Sequence, residues 1–201
     1  MSQEHMHIRE ATHADRNVVQ ALWDEVIRDA FEGEETDKHH NPVEELTFKT
    51  RQFDKAMKTK QSRYFLAFVE DRLVATIAYG SPPNWGILKR TKKALIDTTE
   101  IGSLYVTPSM QKRGYGRSLL IYLLTHLHHH GVTTVCFDSI IETSKAIWLR
   151  MFGEPTYKIP SKKHDFTHMI WVVEVAESLK RLSRRDAPSP HKPSTNPQQT
   201  Q

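Results

Sequence analysis

The chain changes its hydrophobic period several times, and each change marks an element. The opening MHIREAT alternates and then breaks at Thr12, which predicts a short strand over Met6–Arg9. Thr12-His13-Ala14-Asp15 resembles a helix start, and Val18, Val19, Leu22, Trp23, Val26 and Ile27 then repeat at helical spacing. Residues 32–43, EGEETDKHHNPV, read as a polar loop. A weaker helix is expected over 44–58, where Leu46, Phe48, Phe53 and Met57 are poorly periodic. RYFLAFVE (63–70) and LVATIAYG (73–80) are rich in aromatic and branched residues. Asp71-Arg72 separates them, the pattern of a hairpin. SPPNWG (81–86) closes it, and ILKRTKKALI (87–96) fits a basic loop as well as a short helix.

The second half is more sharply patterned. EIGSLYV (100–106) is a strand closed by Thr107-Pro108. Leu119, Leu120, Leu123, Leu124 and Leu127 form a helical stripe from about Gly116 to His130, with Gly131 as a natural stop. VTTVCFD (132–138) reads as a buried strand and Thr143–Phe152 as a helix ending at Gly153. Strands are expected near Tyr157 and over 167–175. The order β, α, α, β, β, β, α, β, α, β, β predicts a mixed α/β fold on a single sheet. From about residue 179 the chain is rich in Pro, Ser, Gln and charge and has no aromatics. It divides into a domain over 1–178 and a disordered basic tail over 179–201.

Charge sharpens that division. The net charge is +4, and from Lys180 onward five cations face only Asp186, so the excess lies wholly in the tail. A balanced body argues against specific nucleic-acid recognition, and KRLSRR offers non-specific attraction at most. The single cysteine, Cys136, excludes an internal disulfide. The N-terminus lacks the apolar core of a signal peptide, and no stretch approaches the ~18 apolar residues that cross a bilayer. A cytoplasmic protein without membrane partners is expected.

The residues that suggest chemistry are QKRGYGRSLL, 111–120. They follow a strand and open a helix, whose first-turn N–H groups have no internal partner and carry the positive end of the helix dipole. Such an end binds anions, phosphate above all. Gly114 and Gly116 clear the approach, Lys112, Arg113 and Arg117 add positive charge, and Ser118 adds a hydroxyl. The spacing fits neither a P-loop nor the dinucleotide fingerprint.

The run TEIGSLYVTPSMQKRGYGRSLL resembles the cofactor-binding core of the GNAT superfamily, the GCN5-related N-acetyltransferases. The match is carried by Val106-Thr107-Pro108 followed without a gap by Gln111-Lys112-Arg113-Gly114-Tyr115-Gly116. The element order over about 6–176 agrees with it. The resemblance implies a mixed, mostly antiparallel central sheet flanked by helices, with acetyl-CoA as co-substrate. It places the pyrophosphate on the amides from Gln111 to Gly116 (Tyr115 among them), with Arg117 and Ser118, and the pantetheine arm along Leu104-Tyr105-Val106. It implies a splay between this strand and VTTVCFD, where a backbone N–H near Leu104–Val106 meets the thioester carbonyl. The acceptor would be a primary amine on a small molecule or a protein, attacking directly. The resemblance also allows a homodimer.

Glu100, four residues before Leu104, stands where many members carry a base, and simple alternation puts Glu100, Gly102 and Leu104 on one face. The general acid departs from the pattern: Thr143 stands where Asn is usual and Arg150 where Tyr is usual, leaving Tyr157 as a substitute. That departure keeps a second reading open, a non-catalytic acyl-CoA-binding sensor or assembly module. HLHHH (126–130) reads as a solvated helix end rather than a metal site, and Cys136 as a small buried hydrophobe. Trp23, Phe31, Phe48, Phe53, Tyr79 and Trp85 fall in segments that by resemblance wall the acceptor side; most read as core, and Trp85 stands out in a loop after a strand that could face the substrate.

Overall fold

The computed structural model describes residues 5–32, 41–161 and 166–184. Strand β1 (Met6–Glu10) leads through a 3₁₀ turn into helix α1 (Arg16–Glu32), and α2 (Pro42–Thr59) follows. The hairpin is β2 (Ser62–Val69) and β3 (Arg72–Gly80). Then come α3 (Trp85–Arg90), β4 (Thr99–Val106), α4 (Tyr115–His129), β5 (Thr134–Ser139) and α5 (Glu142–Phe152). The chain closes with β6 (Tyr157–Pro160), β7 (Thr167–Glu174) and α6 (Val175–Arg184).

The elements form one seven-stranded sheet in the order β1-β2-β3-β4-β5-β7-β6. Every neighbouring pair is antiparallel except β4–β5, so the expected mixed, mostly antiparallel sheet is found. One face packs on the leucine stripe of α4 and on Trp148, Met151 and Leu182 from α5 and α6. The other packs on Trp23, Val19 and Phe53 from α1 and α2, and further along on Ile87 of α3 and Leu95.

Three expectations shift. The weak helix is a full one, because Asn41 Oδ1 accepts from Val43 N and Pro42 sits at the first helical position. It therefore starts inside the expected polar loop, of which 33–40 lie outside the described residues. The ambiguous 87–96 is a short helix running into turns, capped by Asn84. The tail does not begin at 179: α6 continues to Arg184, with Val175, Ser178 and Leu182 buried at helical spacing. Residues 185–201 lie outside the described residues.

The feature that positions the site is a bulge in β4. Between Ala78↔Gly102 and Thr76↔Tyr105 the register slips, and Ser103 takes φ +51. A non-glycine residue there costs about 1 kcal/mol. A buried relay holds it: Trp23 Nε1 donates to Thr76 Oγ1 at 3.0 Å, and Thr76 Oγ1 donates to Ser103 O at 2.9 Å. The bulge resets the alternation. Leu104 and Val106 pack with Ile101 on the α4 side, and Tyr105 packs with the α1–α2 cluster. The expectation that Glu100, Gly102 and Leu104 share a face fails at Leu104 for this reason.

β4 pairs with β5 only at Thr99↔Val135 and Glu100↔Cys136. β4 stays with β3 to Val106, while β5 stays with β7 to Ser139. The two parallel strands thus part beyond Glu100 and leave a wedge. Thr76→Val strands the indole N–H and the Ser103 carbonyl together. It is expected to lower stability in a urea titration by about 1–3 kcal/mol, with Thr76→Ser close to wild type.

Candidate functional site

The α4 side of the wedge carries a helix N-terminus preceded by a cationic turn. Helix α4 starts from Gly114, which adopts φ +91, and no side chain caps it. The first i→i−4 bond along the chain is Ser118 N to Gly114 O at 2.9 Å, so the amides of Tyr115, Gly116 and Arg117 point off the helix end. Gln111–Gly114 are exposed beside them, with Lys112 and Arg113 supplying charge. Gln111 folds back, its Nε2 donating to Val106 O at 3.1 Å, and braces the turn against the end of β4. Gly116 serves packing as well as access: a Cβ there would meet Val106 Cγ2 at 3.0 Å. Arg117 is committed differently from expectation. Its Nη2 donates to Leu182 O near the C-terminus of α6, which ties that helix to the start of α4.

From this turn β4 runs back along the wedge. Leu104, Tyr105 and Val106 lie beyond its last contact with β5, half-buried, and present a strand edge that β5 does not cover. The expected positions Leu104–Val106 and Gln111–Ser118 therefore lie on the part of β4 that has left β5 and on the turn and helix start that follow it.

Glu100 sits at that apex, on the face opposite α4. Both carboxylate oxygens are held by Asn84, whose N donates to Oε2 at 2.5 Å and whose Nδ2 donates to Oε1 at 2.6 Å. Asn84 Oδ1 meanwhile accepts from Ile87 N, so the cap of α3 positions the carboxylate. Burial pushes the Glu100 carboxyl above its ordinary value, and Asp138 adds to this. The two bonds from Asn84 and the charge of Lys49 pull the other way.

Lys49 of α2 completes this side. Its ammonium lies 3.8 Å from Glu45 Oε1 and 6.0 Å from the centre of the Tyr105 ring. Burial opposes its charge, but Tyr105, Glu45, Tyr64 and Glu100 outweigh burial and hold it above the usual lysine range. Burial raises the phenols of Tyr105 and Tyr64, and Lys49 offsets part of that rise. Trp85 and Phe48, sequence neighbours of Asn84 and Lys49, stand 66% and 51% exposed. Trp23 and Phe53 are core, whereas Tyr79 contacts His126 on the other face. The side chain of Phe31 lies outside the described residues.

Two expected residues take other places. Tyr157 is on β6, with β5 and β7 between it and β4, packed against the cluster of Ile87, Leu95, Cys136 and Ile170. Three strand spacings put its backbone roughly 14 Å from β4. Arg150 is exposed on α5. Among the described residues, no group of three or more His, Cys, Asp or Glu could hold a metal ion, and no helix is long and apolar enough to cross a membrane.

Sequence reasoning missed Asn84, Lys49, Asp138 and His168. Asn84 and Lys49 meet Glu100 and Tyr105 only through the tertiary fold. Asp138 carried a signal, as a carboxylate ending an apolar strand beside the motif strand. Its partner is His168 of β7, hydrogen-bonded to it through Nε2. Cys136 lies between Glu100 and Asp138, fully buried, its thiol pushed up to about 12 by burial and by those two carboxylates. In the folded protein it should therefore react with iodoacetamide at pH 8 far more slowly than in urea; equal rates would contradict its burial.

Residues 13–147 match the sequence profile of the acetyltransferase (GNAT) family. No curated protein sequence matches significantly. Solved structures agree in fold at low identity. A GNAT-family protein from Desulfovibrio desulfuricans superposes with a TM-score of 0.66 at 16% identity, covering 85% of this chain and 99% of that one. The PaiA N-acetyltransferase of Thermoplasma acidophilum, solved with coenzyme A, gives 0.60 at 12%, covering 83% and 98%. The ribosomal-protein-S18-alanine N-acetyltransferase of Escherichia coli gives 0.56 at 15%, covering 85% and 94%. The chain belongs to the GNAT acetyltransferase family, and acetyl-CoA is the co-substrate that membership brings.

Proposed function

We propose that this GNAT-family chain transfers the acetyl group of acetyl-CoA to a primary amine, on a small molecule or a protein, by direct attack. The observation that carries the reading is the wedge. An uncapped helix end lies at its mouth, an uncovered strand edge along its wall, and a raised carboxylate at its apex on the opposite face. The pyrophosphate would be held by the amides of Tyr115, Gly116 and Arg117, with Lys112, Arg113 and Ser118 around it. Arg117 would join only by leaving the Leu182 carbonyl. The thioester carbonyl would accept from a β4 N–H of Leu104–Val106, which stabilises the charge that develops on oxygen.

An amine attacks only when neutral, and Glu100 is placed to take its proton, directly or through water. The elevated carboxyl suits this, since a base with proton affinity nearer neutrality binds a proton more readily. Tyr157 is too far across the sheet to meet the sulfur at the apex unaided. A thiol of pKa ~8.5 leaves acceptably without an acid. Cys136 is held protonated between two carboxylates, which favours direct transfer over an acyl-cysteine. Arg150 at the usual tyrosine position supports the second reading, a module that binds acyl-CoA without turnover.

Calorimetry tests the first step. Wild type should bind acetyl-CoA, and the double change Lys112→Glu with Arg113→Glu should weaken it about tenfold or more. No binding by wild type would end the reading. In an assay of amine-dependent thiol release, Glu100→Gln should bind acetyl-CoA normally and lose about a hundredfold in kcat/KM. Unchanged wild-type turnover in that variant would remove Glu100 as base, and no turnover in wild type with any amine would favour the binding module.

The pH profile adds a signed test. As kcat/KM requires ionised Glu100, it should rise with pH through a pKa above that of an ordinary carboxylate. Asn84→Ala removes a bond that lowers this pKa, so the limb should move to higher pH.

A further inference from the structure

The acceptor face of the wedge carries a pair that the chemistry above leaves unused. Asp138 lies on β5 beyond Cys136, where β5 is still paired with β7 but has parted from β4. Its carboxylate therefore borders the wedge. From β7, His168 is hydrogen-bonded through Nε2 to Asp138 Oδ2. An ionised carboxylate only accepts, so the imidazole is the donor. His168 is 5% exposed, while the Asp138 side chain keeps 27% of its surface open. The inner residue thus fixes the outer one.

A purely structural role explains this poorly. His168 Nδ1 is buried and has no hydrogen-bond partner among the described residues. An apolar side chain would pack between β5 and β7 without that cost. An imidazole that orients a wedge-facing carboxylate has a use that offsets it.

Asp138 and Glu100 share one space. The charge of Asp138 acts on Glu100, on Cys136 between them and on Tyr105. The other charged or titratable groups facing Glu100 are Lys49 from α2 and Tyr64 from β2. Lys49 is also drawn to Glu45 and Tyr105, and each oxygen of Glu100 accepts one hydrogen bond from Asn84 and keeps a second lone pair for a further donor. Two carboxylates in a confined space repel, and a cation between them relieves both.

We propose that Asp138, oriented by His168, is a second acceptor-site residue: with Glu100 it receives the acceptor as its ammonium ion, and the two carboxylates take the proton that must leave before nitrogen attacks. This rests on the acetyltransferase reading and narrows its acceptor to a cation at the moment of binding. One N–H proton passes to the Glu100–Asp138 pair. The freed lone pair forms the C–N bond, the C–S bond breaks with its electrons on sulfur, and a second proton from nitrogen neutralises the thiolate. The first proton leaves to solvent along the exposed edge of Asp138. His168 touches no substrate and is a positioning residue.

The test uses the full chain loaded with coenzyme A, which cannot react, and follows the His168 imidazole by ¹H–¹⁵N NMR, assigned by its loss in His168→Gln. Methylammonium chloride should shift the resonance saturably, sodium chloride at equal ionic strength should not, and Asp138→Asn should abolish the response. A resonance indifferent to methylammonium in a protein that binds coenzyme A overturns this inference alone. Failure to bind coenzyme A overturns the acetyltransferase reading beneath it. In turnover with a primary amine, Asp138→Asn should raise the amine KM about tenfold or more while the Kd for acetyl-CoA stays fixed. Asp138→Glu should recover part of the loss, and the acid limb of kcat/KM should move to lower pH in Asp138→Asn. A fall in kcat alone, with KM and the limb unmoved, would mark Asp138 and His168 as structural and contradict the proposal.

Discussion

The arrangement depends on the short pairing of β4 with β5. Parallel strands in a sheet interior ordinarily stay together over their shared length, because each unpaired backbone group costs free energy. Here the ladder stops after Glu100↔Cys136, although both strands continue and each keeps its other neighbour. The bulge at Ser103 turns β4 aside, and the hydrogen bonds from Trp23 through Thr76 hold the bulge from beneath. The core of α1 is thereby tied to the shape of the site. The edge that results faces no strand on the β5 side beyond Glu100, and an extended ligand there would match its backbone groups.

The wedge also separates two electrostatic environments. On the α4 side the backbone dipoles of an uncapped helix and the cations of 112–113 favour negative charge. On the other face both Asp138 and Lys49 act on Glu100 in partly dry surroundings, where charge acts strongly. Helix α6 is coupled to the first side through Arg117 and Leu182, which gives the C-terminal segment a place in the fold rather than a loose end.

Much of this was legible in the sequence for physical reasons. The strand–turn–helix junction around 111–116 could be read because its glycines, cations and adjacent strand are all local in the chain. The leucine stripe of α4 was legible by period. The bulge was not: nothing in EIGSLYV marks Ser103, and missing it placed Leu104 on the wrong face. Helix α6 was hidden because beyond Val175, which read as the end of the last strand, and Ala176 next to it, its apolar residues Leu179 and Leu182 are sparse among charges that resemble a tail. Asn84 with Glu100 and Asp138 with His168 join residues 16 and 30 positions apart, a pairing that only the fold creates.

One ligand bridging the helix end and the uncovered edge of β4 would protect both at once. Amide hydrogen exchange with and without coenzyme A measures this at each backbone group. Exchange should slow together at Tyr115–Arg117 and at Leu104–Val106, with β1 and β6 unchanged. Protection at the helix end without any at Leu104–Val106 would contradict it, leaving an anion site and no wedge for a thioester.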